Sequence, residues 1–169
     1  MLDDNQILIK DSCILFDLLD LGLLKDFFSL KYEIYTTLYV VSEVTVKSQL
    51  EEINQYVTAG RLKIDSDGSF ETIQTFLENH PGLSLTDCSI LELAIRRDGI
   101  ILSTDKTLRN IATRKHLNVR GMIWVIDLLV EGNVITAKEA LEKLKVYPEV
   151  NQRVPIKELN EYCTKLASR

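Results

Sequence analysis

Cysteine, histidine and tryptophan are scarce in this chain, with three, two and one among 169 residues. The cysteines (Cys13, Cys88 and Cys163) are odd in number and form no C-x-x-C pair, so neither a disulfide framework nor a zinc knuckle is indicated, and a reducing compartment suits them. His80 and His116 fall at predicted helix ends, where closing the last turn accounts for them without a metal. No apolar run is long enough to cross a bilayer, the longest lying near "MIWVIDLLV". The opening "MLDDNQILIK" is acidic and lacks a basic segment followed by an apolar one, so a cytoplasmic protein is expected. Internal repeats and low-complexity linkers are also missing, which leaves one domain as the simplest reading.

What is present is a chain with 46% hydrophobic residues, enough for a sizeable core, and short apolar runs alternating with amphipathic ones. "QILIKD", "YEIYTT", "RLKID", "IILS" and "NVR" read as strands. Between them lie helical stretches: "SCILFDLLDLG", "LLKDFFSL", a long one from Leu38 to Ala59 with a break expected near Lys47 and Ser48, "FETIQTFLENH", and "SLTDCSILELAIRRDG" with a capping box from Ser84 to Asp87 and a stop at Gly99. "DKTLRNIATRKH", "GMIWVIDLLVEG" and "TAKEALEKLK" follow before Pro148, and Pro155 opens a last helix. This alternation predicts an α/β fold with a mainly parallel sheet covered by helices. Residues 1–147 form the expected main domain, and residues 148–169 a helical extension packed on it or on a partner. Its stripe of Ile156, Leu159, Tyr162, Cys163 and Leu166 suits either.

The net charge of −5 argues against general polyanion binding, yet Arg96, Arg97, Lys106, Arg109, Arg114, Lys115 and Arg120 outnumber Asp98 and Asp105 in one segment. That patch is either a solvated face or a surface for a polyanion.

Three aspartates stand where a strand or loop passes into a helix: Asp11, Asp87 and Asp105. The helical stripe of each begins from the acid, with Ile14, Leu15, Leu18 and Leu19 after Asp11, Ile90, Leu91, Ala94 and Ile95 after Asp87, and Leu108, Ile111 and Ala112 after Asp105. Glu43 is expected inside its helix on the face of Tyr39, Val40, Val46 and Leu50, where an unpaired carboxylate is costly. Singly, each aspartate reads as a helix cap. As a set they point to a cleft at the carboxyl edge of a parallel sheet, where four acids would repel unless a hard cation neutralised them.

"ILIKDSCILFDLL", "TTLYVVSEV", "LSLTDCSILELA" and "ILSTDKTLRNIA", in this order, resemble the four signature segments of the PIN domain family, and the resemblance runs from Gln6 to about Lys145. It implies a PIN-like α/β/α domain, Mg²⁺ or Mn²⁺, and hydrolysis of single-stranded RNA, as in the toxins of type II toxin–antitoxin pairs. Asp11 then matches the first family aspartate with Ser12 beside it, Glu43 the helical glutamate, Asp87 the third acid, and Asp105 the acid after the Ser103–Thr104 pair. The tail "GMIWVIDLLVEGNVITAKEALEKL" also resembles PIN proteins. A fifth acid found near the fourth in many members is replaced here by Thr104 or Lys106, which leaves a second metal ion without that ligand.

On this resemblance Asp11, Glu43, Asp87 and Asp105 are the catalytic and metal-holding residues, with Asp11 and Asp105 direct ligands. Ser12, Ser103, Thr104, Lys106 and Arg109 are the substrate contacts. The implied partners are single-stranded RNA, a small antitoxin and a second copy of the chain. Two other readings stay open: a degenerate PIN domain that binds RNA or protein without cutting, and a phospho-acceptor domain, although no D-x-D follows the first strand. Cys13 and Cys88 read as core residues, and Trp124 as core or a groove for a partner helix.

Overall fold

The computed structural model describes residues 7–168, without the side chain of Ile7. Gln6, the expected start of the first strand, lies outside the described residues. The chain opens with β1 (Ile7–Lys10), α1 (Ser12–Asp20) and α2 (Leu24–Ser29), then β2 (Glu33–Thr37), α3 (Leu38–Ser42), α4 (Lys47–Thr58) and β3 (Lys63–Asp65). α5 (Phe70–Asn79), α6 (Leu85–Arg97), β4 (Ile100–Leu102), α7 (Lys106–Arg114) and β5 (Val119–Arg120) follow. The chain closes with α8 (Met122–Glu131), α9 (Ala137–Val150) and α10 (Ile156–Ala167).

The five strands form one sheet in the order β3-β2-β1-β4-β5, and every pairing is parallel. This is the expected α/β architecture. β4 is a short continuous apolar run, and Leu8 and Ile9 of β1 are fully buried, because strands inside a helix-covered parallel sheet are buried on both faces. α6 lies across β1, β2 and β4, while α2 packs on α8 and α9 on α8 and α10. The chain builds outward from β1 to β2 and β3, then returns to the other side of β1 to lay down β4 and β5. Strand order therefore reverses between β1 and β4, and the loops leaving their carboxyl ends diverge to open a crevice.

Several local expectations need correction. The stretch from Leu38 to Ala59 breaks at residues 43–46, earlier than expected, where the β-branched run Val44-Thr45-Val46 disfavours helix. α6 stops through Asp98, which adopts the left-handed conformation (φ 50°) that was expected of Gly99. Aspartate tolerates this conformation better than most residues. α9 runs through Pro148 to Val150, because buried Tyr147 and the Asn151 amide both bind Asp17 of α1 and hold the last turn in place. Ile95 is exposed, outside the stripe predicted to continue from Asp87. On α10, Leu159, Tyr162 and Leu166 are buried within the chain itself, and the Tyr162 hydroxyl donates to Asp127 of α8 at 2.8 Å. Ile156, at the start of the same stripe, is exposed, so only part of the stripe packs on the chain.

Candidate functional site

The crevice between β1 and β4 is organised around Asp11. Its backbone N–H continues the sheet by donating to Leu102 O at 3.1 Å, which fixes the residue at the end of β1. The carboxylate then turns to cap α1, Oδ1 accepting from the Ser12 N–H at 2.7 Å. Oδ2 accepts from the buried Ser103 hydroxyl at 2.7 Å and from the Cys13 thiol at 3.1 Å. Ser103 in turn accepts from the Asp105 N–H at 3.1 Å, and Cys13 Sγ from the Thr104 N–H at 3.1 Å. These bonds tie the β4–α7 loop to the start of α1, so two acids distant in sequence share one wall.

The other walls come from α6 and α3. Asp87 sits at the third position of α6, its Oδ2 accepting from the Ser84 N–H and hydroxyl, both at 2.8 Å. The expected capping box is thus formed. Asp105 caps α7 through Oδ1, which accepts from the Leu108 N–H at 2.8 Å. Asp11, Glu43, Asp87 and Asp105 all line one cavity of about 320 Å³, with Ser12, Cys13, Thr104, Asn151 and Arg153 among the other lining residues.

Glu43 reaches this cavity by a route the periodicity did not foresee. It is not inside a helix on a buried face; it closes α3 as its exposed C-cap. Helix termination removes the burial problem that its predicted position posed. Cys13 packs partly buried against the core and also faces the cavity against Asp11, whereas Cys88 is fully buried as expected. Burial, reinforced by the Asp11 charge, pushes the Cys13 thiol up to about 12, so it is a proton donor and no thiolate ligand at neutral pH.

The electrostatics mark the acids as a group. Burial raises the Asp11 carboxyl above its usual value, with the Asp87 charge adding to it against the bonds from Ser103, Cys13 and Ser12. Asp87 is raised as well, first by burial and then by the charges of Asp105 and Glu43, against its bonds from Ser84. Asp11 thus senses Asp87, and Asp87 senses Asp105 and Glu43. Among the described residues the cation in ion-pair range of these acids is Arg153, whose Nη1 lies 3.9 Å from Asp105 Oδ2 on a side chain that is 80% exposed.

The proposed substrate contacts divide by position. Ser12 and Thr104 line the acid cavity. Ser103 lies beneath it, fully buried and orienting Asp11. Lys106 and Arg109 border an adjoining cavity instead. The basic patch is not continuous either, because Arg96 and Arg97 turn to Asp65 on β3 and to Glu92, and Arg120 lies over the Trp124 ring.

Among the described residues no three His, Cys, Asp or Glu side chains are grouped so as to hold a metal ion as they stand. The donor set still has the chemistry of a hard-cation site: carboxylate and hydroxyl oxygens around a cavity, no imidazole, and a neutral thiol. Mg²⁺ keeps several waters, so carboxylates on opposite walls can join through water without a closed cage.

Residues 7–167 match the family model described as PIN domain. The chain belongs to the PIN domain family. No curated protein matches it. PIN domains are generally nucleases and generally use divalent metal ions, so hydrolytic chemistry on nucleic acid is the coarse function of this fold. The caps at Asp87 and Asp105 each engage one carboxylate oxygen, Oδ2 and Oδ1 respectively, whereas both oxygens of Asp11 accept hydrogen bonds. Sequence reasoning missed Asp17, Asn151 and Arg153. A signal for Asp17 was present, since a carboxylate in the apolar run "CILFDLLDL" needs a partner. Arg153 had none, because its place depends on where α9 ends.

Proposed function

We propose that this PIN domain is a metal-dependent endoribonuclease that hydrolyses phosphodiester bonds of single-stranded RNA at the cavity of Asp11, Glu43, Asp87 and Asp105. The observation that carries the reading is the convergence of four carboxylates from four separate segments on one cavity at the strand-order reversal, with two of them raised in pKa. Asp11 and Asp105 would hold Mg²⁺ or Mn²⁺ directly, and Glu43 and Asp87 through water. A bound divalent cation supplies Lewis-acid stabilisation of developing phosphoryl charge and acidifies water. The chain's own part is to hold the carboxylates: Ser103 and Cys13 orient Asp11, and Ser84 orients Asp87. Ser12 and Thr104 offer hydroxyls to substrate at the cavity wall. The biological setting we propose is cytoplasmic, as the toxin of a type II pair held by a small antitoxin and acting as a homodimer. Among the described residues no helix is long and apolar enough to cross a membrane.

Cleavage of a mixed single-stranded RNA pool with Mn²⁺, and its loss on chelation, tests the activity. Asp87→Asn should abolish it. Cleavage that persists in chelator, or in that variant, refutes the assignment. A second reading, a degenerate PIN domain that binds without cutting, is favoured by the lack of a ready-made metal group among the described residues. It predicts RNA retention without product at any metal concentration. Light scattering with and without the product of the neighbouring reading frame addresses the homodimer and the antitoxin.

A further inference from the structure

A second cavity, of about 260 Å³, opens beside the carboxylates and shares Thr104 and Arg153 with theirs. Its chemistry is the reverse of its neighbour's. Lys106 and Arg109 of α7 and Arg153 of the α9–α10 turn bring three cations to it, and Met122, Val154 and Pro155 give it an apolar wall. Lys106 and Arg109 make no ion pair among the described residues. Arg109 is held in place all the same: Nη1 donates to Ser103 O at 3.0 Å, and it would lie 3.2 Å from a Cβ placed on Gly121, so only glycine there leaves the guanidinium undisturbed.

Arg153 is set at the divide by a chain of hydrogen bonds that starts from a buried carboxylate. Asp17, 5% exposed on α1, accepts from the Tyr147 hydroxyl at 2.6 Å and from Asn151 Nδ2 at 3.1 Å, and Asn151 Oδ1 accepts from the Arg153 N–H at 2.9 Å. The backbone of residue 153 is thereby held, while its side chain is exposed beside Asp105. A cation pocket with an apolar wall fits neither a metal, which needs anionic oxygens, nor a neutral apolar ligand. It fits a nucleotide, with phosphate toward the cations and base toward the wall.

We propose that this second cavity is the subsite for a nucleotide adjoining the scissile phosphate of single-stranded RNA, and that Arg153, positioned by Asp17 and Asn151, binds a phosphate at the divide. The proposal rests on the nuclease reading of the carboxylate cavity. It makes the α9–α10 turn part of the substrate site.

The test uses full-length protein carrying Asp87→Asn and a fluorescein-labelled single-stranded RNA of mixed sequence, titrated in chelator across a salt series. Adding Arg153→Gln should weaken binding about tenfold and reduce the salt slope by about 0.7, the loss of one phosphate contact on a single strand. Arg153→Lys should recover most of the affinity. Glu158→Gln, which removes the carboxylate bordering this cavity, should tighten binding severalfold and needs no change in the fold. In protein that retains Asp87, Arg153→Gln should leave the Mn²⁺-induced melting shift intact, as a substrate contact should. Nucleoside 5′-monophosphates should displace the RNA at lower concentration than inorganic phosphate does, and equal displacement overturns the base-binding half of the proposal. RNA binding that is unaltered in affinity and slope by Arg153→Gln and Glu158→Gln overturns the subsite and leaves the nuclease reading standing. No RNA binding by the parent protein overturns both.

Discussion

Two groups of buried or half-buried acids flank the same sheet, and they are treated in opposite ways. Asp65 at the end of β3 has only 2% of its side chain exposed, and it is clasped by Arg96 and by Arg97, whose Nη2 lies 2.7 Å away. Glu92 beside it accepts from Arg96 Nε at 2.9 Å and from the Ser69 N–H at 3.3 Å. Burial acts to raise the Asp65 carboxyl, but the two arginines outweigh it and hold it below the usual value. Asp11 lies deeper and Asp87 is half-buried, neither has such a clasp, and burial raises both. One group is neutralised from within. The other has no such arginine clasp among the described residues, which is the arrangement the proposed cation site requires.

The largest expected effect comes from the residue just before the cleft. Lys10 is fully buried on the opposite face of β1 from Asp11, its Nζ without a hydrogen-bond partner among the described residues and 4.8 Å above the Phe28 ring. It therefore cannot serve the acids as Arg96 and Arg97 serve Asp65. Burial lowers its pKa from 10.5 to about 7. Between these values the unfolded chain holds one proton more than the folded one, so stability rises with pH across that window, and below it the penalty is complete. Lys10→Met should stabilise the protein near pH 6 by about 3–5 kcal/mol and erase the rise above pH 7 in denaturant titrations. A neutral or destabilising result would mean that the amine is solvated or paired.

Next in size is the clasp itself. Asp65→Asn leaves two arginines facing each other without their anion and should destabilise the fold by about 2 kcal/mol at neutral pH, less than for a fully buried pair because the arginines are partly exposed. The lowered carboxyl contributes stability above its unfolded value of 3.8 that is lost as pH falls through its folded value. The variant should therefore converge on the wild type in acid. Parallel loss at every pH would assign the effect to packing.

The contrast between the two groups also separates what could be read from the sequence from what could not. Asp11, Asp87 and Asp105 were legible because a cap lies next to the helix it caps, and the Ser84–Asp87 box spans one turn. The parallel α/β class followed from the period of the apolar residues. The clasp was illegible, since Asp65 and Arg97 meet only after β3 is placed at the sheet edge. Glu43 was assigned to the cleft but to the wrong local structure, because helical periodicity cannot register a short break at β-branched residues. Arg153 lies beyond a proline that ends a helix on paper, and only the Asp17 contacts carry α9 past it.

A smaller effect of opposite sign is expected at Asp87. Its raised carboxyl favours folding while protonated, below the unfolded value of 3.8, and that contribution is lost as pH rises through the folded value. Asn can still accept the two bonds from Ser84. Asp87→Asn in chelator should therefore be more stable than wild type at neutral pH and no different in strong acid. Added Mn²⁺ should reverse the order, because a ligand that binds only the folded wild type raises its melting temperature by mass action. If the variant is less stable in chelator at neutral pH, Asp87 belongs with Asp65 as a structural acid.

The smallest change in stability should come from Asp105→Asn, and its smallness is the point. Asparagine caps a helix about as well as aspartate, so the bond from the Leu108 N–H to Oδ1 should survive, and the unfolding free energy in chelator should change by no more than about 0.5 kcal/mol. The 3.9 Å approach of Arg153 to Oδ2 is an exposed contact whose loss is within that margin. RNA cleavage should nonetheless fall by orders of magnitude, and the Mn²⁺-induced rise in melting temperature should shrink, because the substitution removes a charged ligand and leaves the cap. A stability loss of about 1 kcal/mol or more with cleavage retained would show that the strand delivers Asp105 only to start its helix. Asp105 would then join the acids that are satisfied from within, and the site would reduce to Asp11, Glu43 and Asp87.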